Sequence, residues 1–219
     1  MSERRVRVLI AEDHGTMREG MRLLIGREPD MECVGEAADG REALRLAREL
    51  QPDVLLMDIS MPGMDGLQAT RALSECCPRV GVLALTRHAD YGFLTEMLRA
   101  GAKGYVLKQS PAHDLVRAVR AVASGQSYLD PAVTAKVVGP YAGARPAGGA
   151  EPQERLSGRE EEVLRLVARG HSNKEIAARL ALSVKTVEAH KANGMRKLGL
   201  TDRTAIIDYA IFRGWMRND

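Results

Sequence analysis

Over the first 130 residues, short hydrophobic runs alternate with longer segments in which hydrophobic residues recur at helical spacing. The short runs predict buried β-strands, and a spacing of about 3.6 residues predicts amphipathic helices between them. The predicted strands are residues 6–11, 33–37, 54–58, 80–86 and 104–108. Strands that alternate with helices in this way predict a parallel sheet covered on both faces, and hence an α/β domain.

Residue types that are common at helix ends mark two of these helices. Gly101 follows the hydrophobic spacing of the fourth helix, and we expect it to end that helix. Ser110 and Pro111 precede the fifth helix, and we expect Ser110 to be its N-cap and Pro111 its first residue. Both signals support the alternation of strands and helices.

The hydrophobic pattern stops near Asp130. Residues 139–155, GPYAGARPAGGAEPQER, are rich in Gly, Ala and Pro and have no periodicity, which predicts a flexible linker. We therefore divide the chain into a first domain over residues 1–130, a linker over 131–152 and a second domain over 153–219.

The second domain shows the end signals of four short helices. They are the capping-box pairs Ser157 with Glu160 and Ser172 with Glu175, then Ser183 with Gly199 and Thr201 with Gly214. The second and third of these helices are joined by only a few residues, which is typical of a helix-turn-helix. On the third helix one stripe is predicted to face the core, namely Val184, Val187, Gly194 and Leu198. Another stripe has small and charged side chains suited to a DNA major groove, namely Lys185, Glu188, Ala189, Ala192 and Arg196.

Composition and charge narrow the class of protein. No hydrophobic segment is long enough to span a membrane, and the N-terminus lacks a signal-peptide core, so we expect a cytoplasmic protein without membrane contact. Cys33, Cys76 and Cys77 lack metal-ligand spacing and are expected to be reduced thiols. Residues 1–152 have a net charge of −1 and residues 153–219 have +4, which favours a polyanionic partner for the second domain.

Polar residues stand at the ends of four predicted strands. Glu12 and Asp13 follow the first strand, Asp58 ends the third, Thr86 the fourth and Lys108 the fifth. Ligands of open parallel sheets bind at this edge, so the three carboxylates converge there if the first and third strands are neighbours. A cation must then offset their repulsion, and an all-oxygen site suits Mg²⁺. Taken singly, each residue also has an ordinary structural interpretation, such as Asp13 capping the first helix.

The segments LIAEDH, LLMDISMPGMDG, LALTRH and GAKGYVLK resemble the receiver domain of bacterial two-component response regulators over about residues 5–125. The resemblance implies a flavodoxin-like fold with a five-stranded parallel sheet in the order 2-1-3-4-5. It further implies that Asp58 is the phosphoacceptor and that the carbonyl of Ser60 joins the three acids in holding Mg²⁺. Thr86 and Lys108 would contact the phosphoryl group, and Tyr105 would be the aromatic residue that swings inward.

Residues 155–215 resemble the LuxR/NarL-type helix-turn-helix output domain, including SNKEIA, SVKTVEAH and KLG. The resemblance implies that bases are read by Glu188, Ala189, Lys191 and Ala192. It also implies phosphate contacts from Asn173, Lys174, Lys185, Thr186, His190 and Lys197. The last helix, over residues 203–213, commonly forms the dimer contact in this family.

Gly194 departs from that family pattern, which usually places a larger hydrophobic residue at this position. Glycine inside a helix costs ~1 kcal/mol relative to alanine. The sequence therefore predicts that Gly194→Ile raises the melting temperature of the second domain.

The combined features predict a DNA-binding response regulator of the NarL/FixJ type. Its implied partners are a sensor histidine kinase, double-stranded DNA, Mg²⁺ and a second copy of the chain, with RNA polymerase as a further candidate. One alternative is a Mg²⁺-dependent phosphatase with an aspartyl nucleophile, although Ser60 stands where such enzymes usually carry a second acid. Another is a regulator that has lost phosphorylation, which the complete set of acids, Thr86 and Lys108 argues against.

Overall fold

The computed structural model describes residues 4–87, 89–134 and 156–216. The chain divides into two compact units, one built on a β-sheet and the other on the four C-terminal helices. Within the described residues, none of the helices combines the length and hydrophobicity that crossing a bilayer requires.

The sheet of the first unit is parallel throughout. Its strands within the described residues are β1 (Val6–Ala11), β2 (Met31–Ala37), β3 (Val54–Asp58), β4 (Gly81–Thr86), β5 (Gly104–Leu107) and β6 (Tyr128–Leu129). The strand order is β2-β1-β3-β4-β5-β6. The predicted order 2-1-3-4-5 is confirmed, and β6 adds a short strand beside β5 that the sequence did not predict.

Helices cover both faces of this sheet, as the unbroken hydrophobic runs of the central strands require. They are α1 (Gly15–Gly26), α2 (Gly40–Leu50), α3 (Gly66–Cys76), α4 (Tyr91–Arg99) and α5 (Ala112–Ala123). Val8 and Ile10 belong to a core cluster shared with α1 and α5, whereas Leu9 and Leu55 belong to one shared with α2 and α3. Neighbouring residues of β1 therefore point to opposite faces, which anchors the strand between two cores.

The predicted helix ends are partly confirmed. Gly101 adopts a left-handed conformation with φ +104° just after α4, as expected. Ser110 is not the N-cap of α5, because the helix begins at Ala112 and Pro111 is the capping residue. The Ser110 hydroxyl instead donates a hydrogen bond to Asp130.

The first unit continues past Asp130. Residues 131–134 are helical, and both Asp130 and Val133 are buried. The rest of the predicted linker lies outside the described residues, so the division into residues 1–130, 131–152 and 153–219 stays a prediction.

The helices of the second unit within the described residues are α6 (Gly158–Ala168), α7 (Asn173–Leu180), α8 (Val184–Leu198) and α9 (Arg203–Phe212). Both predicted capping boxes are present, and the Ser183 side chain caps α8. Thr201 does not open α9. Asp202 is its N-cap and accepts a hydrogen bond from the Ala205 N–H, while the Thr201 hydroxyl donates to the Asp202 carboxylate.

Gly194 lies where α8 packs closely against α6, and side chains of α6 occupy the space beside it. A Cβ atom at this position would lie 2.9 Å from Cδ1 and 3.3 Å from Cγ of Leu164, which is itself fully buried. This contact argues against the prediction that Gly194→Ile raises stability, because a larger side chain would have to displace Leu164.

We expect Gly194→Ile to lower the free energy of unfolding by about 1–3 kcal/mol, because overpacking forces side chains off their preferred rotamers. Thermal denaturation of the full chain measures the effect. Gly20→Ile, inside α1, is the matched control because a Cβ atom there would meet no heavy atom within 4 Å. A melting temperature for the Gly194 variant at or above that of the control would contradict this packing account.

Candidate functional site

The acids predicted from the strand ends lie together at one edge of the sheet. β1 and β3 are hydrogen-bonded neighbours, and each leads its acidic residues to the same end. Glu12, Asp13, Asp58 and His14 each offer a ligand atom, and these atoms all lie within 4.8 Å of one another. His14, rather than Asp13, is the N-cap residue of α1.

The turn after β3 holds Asp58 in place at the end of a buried strand. The Ser60 N–H donates a hydrogen bond of 3.1 Å to Asp58 Oδ1, and the Asp58 side chain is only 1 % exposed. Gly66 lets the chain return close to this strand, because a Cβ atom there would lie 2.2 Å from the Asp58 carbonyl oxygen. This explains why the sequence turns through MPGMDG directly after the strand.

Lys108 brings a positive charge into the acid cluster. Its Nζ atom lies 2.8 Å from Glu12 Oε2 and 2.8 Å from Asp58 Oδ2. The Lys108 backbone N–H donates to the Thr86 carbonyl, which fixes the end of β5 against the end of β4. Because both carboxylates are buried, a cation at this distance offsets much of their mutual repulsion.

The cluster has the properties of an oxygen-ligand cation site. Glu12 Oε2, Asp13 Oδ1 and Asp58 Oδ2 are buried, and none of the described residues donates a well-aligned hydrogen bond to them, although Lys108 Nζ lies 2.8 Å from two of these oxygens. Lys108 supplies one positive charge against three carboxylates, so a further cation is needed to offset the remaining negative charge. Mg²⁺ prefers one or two carboxylates with water and phosphate oxygens, so these residues fit it.

The cavity next to the cluster has a volume of about 530 Å³ and is open to solvent. It is lined by His14, Gly15, Thr16, Met17, Asp58, Ser60, Arg87 and Lys108. Arg87 adds an exposed cation at its mouth that the sequence analysis did not single out. Arg87 and Lys108 thus place two positive side chains around this cavity, which suits a small anionic ligand.

His14 was also overlooked, although it directly follows the acid pair in the sequence. Its Nδ1 atom lies 3.0 Å from Glu12 Oε1 and 2.7 Å from Asp13 Oδ1. The side chain is 70 % exposed, so this imidazole lies on the solvent side of the buried Glu12 carboxylate.

Thr86 and Tyr105 occupy neighbouring strands behind the cluster. Thr86 ends β4 and is 1 % exposed, and Tyr105 lies in β5 and is fully buried. In the β4–β5 register Thr86 pairs with Leu107 and Ala84 pairs with Tyr105. The structure thus places a hydroxyl at the sheet edge and a buried aromatic ring on the neighbouring strand.

Asp130 is a further residue that sequence reasoning missed. This buried carboxylate accepts hydrogen bonds from the Leu107 N–H, the Ser110 hydroxyl and the Ala132 N–H. Its own N–H donates to the Tyr105 carbonyl. Asp130 therefore joins the residues on both sides of Lys108 to the helical turn over residues 131–134.

We expect Asp130→Ala to lower the melting temperature, because a buried N–H without a partner costs about 1–3 kcal/mol. We also expect it to slow the phosphoryl transfer that the receiver resemblance implies, because the residues on both sides of Lys108 lose their anchor. Denaturation and a phosphorylation time course measure the two effects. Ser110→Ala is the control, since it keeps both backbone hydrogen bonds to Asp130. Equal behaviour of the two variants would contradict the anchoring role.

The second unit exposes most of the surface predicted to meet DNA. Lys174, Lys185, Glu188, Ala189 and Ala192 are exposed, as is Arg196. Half-buried positions beside them are Asn173, Thr186, His190 and Lys191. Val184, predicted for the core-facing stripe, is instead 38 % exposed because it is the first residue of α8. Val187, Gly194 and Leu198 are buried as predicted.

Lys197 stands apart from this surface. Its Nζ atom forms an ion pair of 2.8 Å with Oε2 of the buried Glu160, and its side chain is only 15 % exposed. Burial alone would raise the pKa of Glu160, but the hydrogen bonds from Lys197 and Ser157 outweigh it and hold that pKa below its usual value. This placement argues against the predicted phosphate contact and gives Lys197 a structural role between α8 and α6.

Comparison with known proteins agrees with both units. Residues 8–120 match the response regulator receiver domain, and residues 154–210 match the bacterial regulatory proteins of the luxR family. The oxygen regulatory protein NreC of Staphylococcus aureus is 43 % identical over 210 residues, covering 94 % of this chain and 97 % of NreC. The chain belongs to the response regulators of two-component systems.

Solved response regulators also share the fold. RcsB of Salmonella enterica serovar Typhimurium, bound to promoter P1flhDC in the presence of the phosphomimetic BeF₃⁻, matches with a TM-score of 0.81 and 30 % identity. That match covers 95 % of this chain and 98 % of the RcsB chain. A structure of two RcsB dimers bound to two parallel DNAs matches with a TM-score of 0.80 at the same identity and coverage. This response regulator thus has a receiver domain followed by a LuxR-type helix-turn-helix domain.

Proposed function

We propose that phosphorylation of Asp58 switches this response regulator between a resting form and a form that dimerises and binds DNA to regulate transcription. The observation that carries the proposal is the meeting of Glu12, Asp13, Asp58 and Lys108 at one sheet edge. The exposed face of α8 supplies the complementary output surface. The cognate partners would be a sensor histidine kinase and double-stranded DNA, with RNA polymerase as a further candidate, all within the cytoplasm.

The chemistry required of the protein is nucleophilic attack by a carboxylate. An Asp58 oxygen forms the new bond to phosphorus, and the bond between phosphorus and the donor group breaks, so that the donor leaves with its electron pair. Such a transfer depends more on positioning and charge neutralisation than on an acid or base. Lys108, already 2.8 Å from Asp58 Oδ2, is placed to neutralise charge on the incoming phosphoryl group.

Glu12, Asp13 and Asp58, with the Ser60 carbonyl, would hold Mg²⁺, which would supply further charge neutralisation at the phosphoryl oxygens. The same site supports phosphorylation from a small phosphodonor and slow hydrolysis of the aspartyl phosphate. The Thr86 hydroxyl would move toward the added phosphoryl group. Tyr105 would move with Thr86, and this shift would change the surface around α4 and β5.

The output would use α8 as the recognition helix. Base contacts would come from Glu188, Ala189, Lys191 and Ala192, and phosphate contacts from Asn173, Lys174, Lys185, Thr186 and His190. A relative supports DNA binding as the output, since RcsB has been solved bound to a promoter in the presence of BeF₃⁻.

Genomic DNA captured by the full chain in the presence of BeF₃⁻ and Mg²⁺ identifies operators and tests the proposal. We expect enrichment of sites with two half-sites, and we expect Lys185→Ala to weaken binding because it loses a phosphate contact. Arg159→Ala is the matched control, because Arg159 is an exposed cation on α6 that pairs with Glu162. Equal binding by the two variants would contradict the placement of the DNA surface on α8.

A further inference from the structure

Two adjacent thiols lie at the end of α3, far from the acid cluster. Cys76 is exposed and ends the helix, and Cys77 is its buried C-cap. The Cys77 carbonyl accepts a hydrogen bond from the Val80 N–H just before β4 begins, whereas Asp58 pairs with Leu85 near the other end of β4. Because a strand rises about 3.3 Å per residue, the thiols and the proposed phosphoacceptor are separated by most of the length of β4.

The two sulfur atoms form a compact pair beside a cation. The Sγ atoms of Cys76 and Cys77 are 3.5 Å apart, and Arg48 Nε donates a hydrogen bond of 3.4 Å to Cys76 Sγ. Burial alone would raise the pKa of Cys76, but the hydrogen bonds from Arg48 and Cys77 outweigh it and lower that pKa. Burial, together with the neighbouring Cys76, raises the pKa of Cys77. The pair therefore combines an exposed sulfur beside a guanidinium group with a buried sulfur in contact with it, and nearby cations favour thiol reactivity.

Geometry disfavours a direct bond between these sulfurs. Adjacent Cα atoms are about 3.8 Å apart across a trans peptide, whereas disulfides usually join Cα atoms about 4.4–6.8 Å apart. A single larger atom bonded to both sulfurs avoids this strain, because it leaves them close to their present separation. Thiolate sulfur is a soft ligand, so it selects soft, thiophilic centres.

We propose that Cys76 and Cys77 form a chelating site for trivalent arsenicals of the type R–As=O. The Cys76 sulfur forms the first bond to arsenic and the Cys77 sulfur forms the second. The arsenic–oxygen bond breaks, and the oxygen leaves as water with the two thiol protons, so that no atom changes oxidation state. Arg48 favours the first step by stabilising the Cys76 thiolate.

Phenylarsine oxide tests this site on the full-length chain. Intact mass spectrometry is expected to show one adduct per chain, formed with loss of one water molecule. Because two sulfurs hold the arsenic, the adduct is expected to survive excess 2-mercaptoethanol and to be removed by 1,2-ethanedithiol. Absence of an adduct that survives the monothiol would overturn the proposal.

Substitutions assign the adduct to residues. Cys76→Ser and Cys77→Ser are each expected to lose the monothiol-resistant adduct, and Cys33→Ser is expected to keep it. Cys76 is exposed, so its variant is decisive even if replacing the buried Cys77 impairs folding. Retention of the adduct in Cys76→Ser, or its loss in Cys33→Ser, would contradict the assignment.

Two further variants test whether arsenical capture depends on Asp58 and on Arg48. Asp58→Asn is expected to retain full capture, because the dithiol does not depend on the proposed phosphorylation. Arg48→Met is expected to slow capture severalfold at neutral pH, with the same final amount of adduct. An unchanged rate would refute the role of Arg48, and loss of capture in Asp58→Asn would refute the independence of the two sites.

Discussion

Asp58→Asn is expected to abolish the response of DNA binding to a phosphodonor. The amide lacks the charged oxygen that attacks phosphorus, while the side chain keeps its size and its oxygen acceptor for the Ser60 N–H. We expect phosphorylation to tighten operator binding by wild type at least about tenfold, which corresponds to a coupling free energy of ~1.4 kcal/mol. In the variant, operator affinity measured by fluorescence anisotropy is expected to be the same with and without acetyl phosphate and Mg²⁺.

Asp65→Asn provides the matched control for this experiment. Asp65 lies in the same turn, but its side chain caps α3 by accepting a hydrogen bond from the Gln68 N–H. Asparagine caps helices about as well as aspartate, so this variant is expected to respond like wild type. A normal response by Asp58→Asn, or a lost response in Asp65→Asn, would show that the switch does not act through Asp58.

Lys108→Met is expected to produce the largest loss of stability among these variants. The substitution removes the Lys108 ammonium group that Glu12 and Asp58 share, and it leaves these two buried carboxylates side by side. Breaking a buried ion pair by deleting one partner costs about 3–5 kcal/mol. Urea denaturation of the full chain, followed by circular dichroism, measures the change in the free energy of unfolding of the receiver domain.

Two further variants test whether the loss of stability comes from the ion pairs of Lys108. Lys103→Met removes an exposed lysine just before β5 and is expected to change stability by less than about 0.5 kcal/mol. Combining Lys108→Met with Asp58→Asn is expected to recover part of the loss, because one of the two unpaired charges disappears. Additive losses in the double variant would mean that Lys108 and Asp58 do not interact as their distance indicates.

The strand ends could be predicted because burial on both faces of the sheet leaves a strong local pattern. The run VLLMD is hydrophobic up to Asp58, and all five of its residues are buried in β3. Once the strands are known to be parallel, geometry brings their last residues to one edge. The convergence of Glu12, Asp13, Asp58 and Lys108 follows from that local pattern.

Contacts between residues distant in sequence could not be predicted in the same way. Asp130 bonds the Leu107 N–H from 23 residues away, and Lys197 pairs with Glu160 from 37 residues away. Such pairs depend on how elements pack, which hydrophobic spacing does not specify. Gly194 shows the same gap, because only the interhelix distance reveals that Leu164 fills the space beside it.

The two-residue strand β6 was missed for a different reason. Tyr128 and Leu129 are too few to show an alternating pattern, and among the described strands β6 pairs with β5 alone. The pairing of β6 with β5 places Asp130 next to the residues on both sides of Lys108. Because β6 was not predicted, the role of Asp130 could not be predicted either.

The most direct test of the central claim is to locate the phosphoryl group after treatment with acetyl phosphate. The protein is incubated with and without Mg²⁺, the aspartyl phosphate is trapped by borohydride reduction, and its position is read by peptide mass spectrometry. We expect modification at residue 58, dependent on Mg²⁺ and strongly reduced in Lys108→Met. Modification elsewhere, or none at this residue under conditions that phosphorylate another receiver domain, would contradict the account.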